Sequence, residues 1–72
     1  MDQVVTVTPV EGGWSVVCSI IGHPLMFSSG AKAEEKARSL AAVLADNGQD
    51  ARVMVHDRRN TLIGTVRYFA SP

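Results

Sequence analysis

The chain has one cysteine, Cys18, so no disulfide can form within it. Its two histidines, His23 and His56, lack the second cysteine or carboxylate cluster that would complete a ligand set, so neither a metal nor any other cofactor is expected. Charge of one sign is also missing. Lys plus Arg and Asp plus Glu each number seven, which leaves no global field to draw the protein onto nucleic acid or an anionic membrane. No apolar run approaches the roughly 18 residues that cross a bilayer. Met1-Asp2-Gln3 opens without the basic stretch and apolar run of a secretory leader. A reduced, cytoplasmic setting with no membrane partner is the expectation.

At 72 residues the chain reads as one domain spanning positions 1–72. Domains of this size bury only about 60% of their unfolded surface and are marginally stable. Disulfides, a metal or a partner subunit can compensate, and only the last is open to this chain. Little stability is left over for a strained catalytic cleft, so the expectation is a protein that is not an enzyme.

The pattern along the chain predicts β-β-β-α-β-β. Val4 to Val10 is β-branched, with Val5 and Val7 on one side and Thr6 and Thr8 on the other. Pro9 cannot donate to a ladder and belongs near the strand's end, before a turn at Glu11-Gly12-Gly13. From Trp14 to Ile21, the side chains Trp14, Val16, Cys18 and Ile20 share one face and Ser15, Val17, Ser19 and Ile21 the other. Apolar groups on both faces predict a central strand. Gly22-His23-Pro24 then bends the chain into the short run Leu25-Met26-Phe27.

A helix is predicted over about Ala31 to Asn47, with Ser29 or Gly30 as N-cap and Gly48 as the terminator. Ala33, Ala37, Leu40, Ala41 and Leu44 form one apolar stripe, and its small members let the helix lie close on a sheet. Arg52 to Asp57 alternates again, with Val53 and Val55 opposed to Arg52, Met54 and His56. Arg58-Arg59-Asn60 is the connection, Asn60 being the expected left-handed residue, and Thr61 to Phe69 is the last strand. The tail Ala70-Ser71-Pro72 is short and polar. The fold class that follows is α+β, a four- to five-stranded antiparallel sheet with one helix packed on one face.

Val7-Thr8-Pro9, Gly12-Gly13-Trp14-Ser15-Val16, Ala33 through Ala41 (Ala-Glu-Glu-Lys-Ala-Arg-Ser-Leu-Ala) and Val53-Met54-Val55-His56-Asp57 occur in that order. Together they resemble a family of small bacterial domains of unknown function. In it a Gly-Gly-Trp hairpin precedes an Ala-x-x-x-Ala-Arg-x-Leu-Ala helix and a Val-x-x-His strand. The resemblance covers roughly residues 4 to 66 and implies this fold and a bacterial or phage origin, with no activity or cofactor attached. Two positions depart from the family's pattern: Ala31 stands where a capping Thr is usual, and Asn60 where the last turn usually has Gly.

Few residues suggest chemistry. Cys18, in an alternating strand, reads as a small buried hydrophobe rather than a nucleophile. His56 reads as a half-exposed sheet residue without the further groups a site requires, and His23 as a turn residue. Trp14 beside two glycines is either a stacking platform or, as is commoner in hairpins, a packing residue. Arg52, Arg58, Arg59 and Arg67 make a candidate basic patch in the C-terminal hairpin, without the interleaved aromatics of single-strand nucleic-acid binders.

The strongest feature is a shortage of cover. One helix shields one face of the sheet, so the other, with Val17, Ile21, Met54 and His56 as the candidate partner face and Val4 or Val10 beside them, needs a second copy or another protein. The expected function is a non-enzymatic module that self-associates or docks on a protein partner through a sheet face or an edge strand. A nucleic-acid-associated module using the four arginines is the alternative.

Overall fold

A computed structural model describes residues 3–70; Met1-Asp2 and the Ser71-Pro72 end of the polar tail lie outside the described residues. The elements are β1 (Gln3–Val10), β2 (Gly13–Cys18), β3 (Leu25–Phe27), α1 (Gly30–Asp46), β4 (Ala51–His56) and β5 (Leu62–Tyr68). They form one helix packed on a five-stranded sheet of order β3-β2-β1-β4-β5.

The first three strands make an antiparallel meander. Val5 pairs with Cys18 and Val7 with Val16 across β1 and β2, and Val16 with Leu25 across β2 and β3. Gly12 closes the first hairpin at φ +78°, a conformation open to glycine at little cost. A Cβ on Gly13 would run into the carbonyl oxygen of Phe27, so the close approach of β3 requires glycine there too.

The sheet is mixed rather than wholly antiparallel. β1 and β4 run parallel, Val5 opposite Val53 and Val7 opposite Val55, while the other three pairings are antiparallel. The meander leaves the chain at one edge of the sheet, and a parallel neighbour can be reached only by a long crossover. Helix α1, 17 residues and so about 25 Å long, is that crossover. It delivers the chain to the end where β1 begins, and Gln3 N–H donates to the Asp50 carbonyl at 2.8 Å.

The helix is bounded by side chains that satisfy its ends. Ser29 is the N-cap, and its hydroxyl accepts from Lys32 N–H at 3.4 Å. At the other end Gly48, at φ +86°, donates to the Ala45 carbonyl and Gln49 to that of Leu44, the paired bonds of a Schellman ending. Ala33, Ala37, Ala41 and Leu44 are buried on one stripe, with Leu40 packed beside them.

That stripe meets Val5, Val7, Val16, Cys18, Ala51, Val53 and Val55. The largest side chains sealed completely inside are the four valines Val5, Val7, Val16 and Val53. Trp14, Leu25, Phe27 and Tyr68 close the core's margins without being wholly enclosed. It is a thin layer of small residues, in keeping with a helix that lies close on its sheet.

Two expectations for the second strand are corrected. β2 stops at Cys18, and a turn in which Ile21 N–H donates to the Cys18 carbonyl at 3.0 Å breaks the alternation. Ile20 therefore points to solvent, and Ile21, expected on the uncovered face, packs against the core instead.

Candidate functional site

Pairing register fixes which side chains share the face away from the helix. Thr6 lies opposite Val17 and Met54, Thr8 opposite Ser15, Ser15 opposite Met26, and Val4 opposite Arg52, which in turn faces Arg67. Val17 is 47% exposed and Met26 61%, while Val4, Val10, Met54, His56 and Arg52 are half-buried by their neighbours. Of the candidate partner face, Val17, Met54 and His56 are on this surface and Ile21 is not.

On the same face of β4, Arg52 Nε and His56 Nδ1 are both buried without a hydrogen-bond partner. A desolvated donor or acceptor left unpaired costs of order 1–3 kcal/mol. The two residues stand four positions apart on one strand, about 13 Å along the backbone.

The hairpin of β4 and β5 divides the four arginines. Asp57 organises its turn: its carboxylate accepts from Arg59 N–H at 2.9 Å and Thr61 N–H at 3.0 Å, and Asn60 takes the left-handed conformation at φ 61°. Arg58 and Arg59 are therefore held at the turn, whereas Arg52 and Arg67 face each other at the opposite end of the hairpin. Six residues of extended chain separate the pairs, about 20 Å. Arg58 reaches back over the first hairpin, with its guanidinium carbon 5.3 Å from the centre of the Trp14 ring and a 3.3 Å hydrogen bond to the Val10 carbonyl. The indole also meets the start of the helix, where a Cβ on Gly30 would lie 3.0 Å from its Cε2. Trp14 is half-buried against the core, with Arg58 over its ring and Gly30 close beside it.

The two edges of the sheet differ. β3 has three residues and follows Pro24, which has no N–H to offer. β5 has seven, and its sequence contains no Lys, Pro, Asp or Glu. Leu62 (45% exposed), Ile63 (61%), Val66 (45%) and Phe69 (71%) project from β5 and the residue beyond it. An irregularity between Val55 and His56 leaves Ile63 without a partner on β4, and the helix gives this strand little cover. Sequence reasoning named an edge strand without identifying it; the signal was a last strand apolar on both faces with a single charge, Arg67.

The cysteine and the histidines singled out in the sequence are not brought together. Cys18 is buried on the helix side of the sheet and His56 is on the opposite face, so the thiol and the imidazole cannot meet. His23 is exposed in its turn, its ring nitrogen 3.3 Å from the Pro24 carbonyl. Two open depressions flank β3, one lined by Phe27, Lys32, Glu35, Lys36 and Ser39 and one by Glu11, Gly12, Gly13, Met26, Phe27 and Ser28. Among the described residues no cluster of three His, Cys, Asp or Glu side chains could hold a metal ion, and no helix is long and apolar enough to cross a membrane. No family model matches the chain, and no curated protein or solved structure matches it.

Proposed function

We propose that this chain is a non-enzymatic association module in which two copies pair through their β5 strands, in a reduced, cytoplasmic setting that suits a single unpaired cysteine. The observation that carries the reading is β5 itself. It is a long outer strand with apolar side chains on both faces and none of the lysines, prolines or acids that normally blunt an edge.

Antiparallel pairing of two such strands about Thr65 sets Leu62 against Tyr68 of the second copy, Ile63 against Arg67, and Gly64 against Val66. No arginine then faces its own copy. The result is one continuous sheet with both helices on the same side, and the exposed Val66 side chains enter the gap between them. Added strands bring main-chain hydrogen bonds as well as apolar burial, and the same edge would serve a strand offered by a different protein.

A nucleic-acid reading has less support. Its four arginines lie at two ends of a hairpin rather than along one stripe, and the tryptophan that might stack on a base is stacked by Arg58.

Thr65→Cys is the direct test, because the proposed two-fold axis places that residue opposite itself at a separation a disulfide can bridge after small adjustment. Buried Cys18 does not compete. Mild oxidation in dilute solution is expected to give a covalent dimer from Thr65→Cys and not from Thr61→Cys. Failure of Thr65→Cys to cross-link, or equal cross-linking by both variants, would overturn the pairing.

A further inference from the structure

We propose that the uncovered face of the sheet binds an acidic, amphipathic segment of another protein, with a carboxylate seated at the Arg52 end of β4. The inference concerns a different surface from the β5 edge and holds whether or not the chain pairs with itself.

Charge complementarity identifies the occupant. The five strands contribute Arg52, Arg67 and His56 to this face and contain no Asp or Glu at all. Arg52 and Arg67 are direct cross-strand neighbours, which brings two guanidinium side chains to one end of the face. Arg52 is half-buried with its Nε desolvated and unpartnered, and His56 Nδ1 is in the same condition two rungs further along. A partial loss of water strengthens the field such a guanidinium presents to an incoming anion.

Between those groups the face is apolar, with Met54 at its centre and Val17 and Met26 exposed beside it. The occupant therefore needs apolar side chains flanked by carboxylates. On a helix, positions two turns apart are about 11 Å from each other, close to the span from Arg52 to His56. A second copy applied face to face would bring one cationic surface against another. Phosphates would answer the charge, but the centre of the face is aliphatic and the exposed ring beside it, Phe69, already lies 6.0 Å from the Arg67 guanidinium carbon, which favours protein carboxylates over a nucleic acid.

The probes are an amphipathic Leu/Glu peptide about four helical turns long, the same peptide with every Glu replaced by Gln, and a single-stranded DNA of matching charge. Binding is read from amide chemical shifts. The Glu peptide is expected to bind about tenfold tighter than its Gln counterpart, and to shift Thr6, Met54 and Thr65 while sparing the exposed side of α1. That preference is expected to vanish in Arg52→Gln. Met54→Glu, which places an acid at the centre of the face, is expected to abolish binding while an unchanged melting temperature reports an intact fold. No binding of the Glu peptide, equal binding of the two peptides, a preference that survives Arg52→Gln, shifts centred on α1, or tighter binding of the DNA would each overturn the proposal. Failure here leaves the Thr65 cross-link untouched, so the two surfaces are tested separately.

Discussion

The two faces of this sheet are built from the same strands and have opposite fates. On the helix side, Val5, Val7, Val16 and Val53 are sealed against a stripe of alanines with no polar group among them. On the other side, the alternate residues of those strands are threonine, valine, serine, methionine, arginine and histidine, mostly half-buried by one another, with Ser15 buried and Val17 exposed. A strand has period two, so each residue belongs to one face, and a chain with a single helix can finish only one of them. The covered face holds the fold together, whereas the open face and the outer edge are the surfaces that the proposed partners would use.

The largest expected contrast lies between the faces. Val53→Asp puts a carboxylate into the sealed layer at a cost of several kcal/mol, comparable to the whole stability of a domain this small, and is expected to prevent folding. Thr6→Asp, on the open face of the neighbouring strand, is expected to leave a folded protein. Circular dichroism of the two variants checks this. Within the milder range, Val53→Ala is expected to cost about 2 kcal/mol and Thr6→Ala less than about 0.5 kcal/mol in urea unfolding.

The two edges offer the next contrast. Val66→Lys on β5 places a charge in the middle of the proposed interface and is expected to weaken dimerisation about a hundredfold, close to 2.7 kcal/mol. Met26→Lys, at a more exposed position on short β3, is expected to leave the association unchanged. Sedimentation velocity at matched concentrations distinguishes them.

Smaller effects separate the two ends of the structure. Ser29→Ala removes the helix N-cap and is expected to cost about 1 kcal/mol in thermal or urea unfolding. Arg58→Ala removes the guanidinium from the Trp14 ring, with an expected loss of about 0.5 kcal/mol and a red shift in tryptophan emission as the indole gains water.

The sequence made local features legible and left topology hidden. Gly12 and Asn60 lie at positive φ where turn chemistry predicts it, and the alanine stripe packs as its spacing implies, because these depend on neighbours within a few residues. The parallel pairing of β1 with β4 joins segments more than forty residues apart, and no local pattern encodes it. The fate of Ile21 was hidden because alternation holds only while a strand lasts, and the turn after Cys18 ended it early. The arginines looked like one patch in a linear reading. Hairpin geometry returns Arg67 to Arg52 and carries Arg58 and Arg59 to the far end, which splits them in two.

Sedimentation equilibrium across a dilution series tests the central claim most directly, because pairing through β5 would appear as a concentration-dependent mass. The account predicts a transition from the 7.7 kDa chain to twice that mass, with a midpoint in the micromolar range typical of modest interfaces. A single-chain mass at every concentration up to about a millimolar, weaker than any specific interface of this kind, would contradict it.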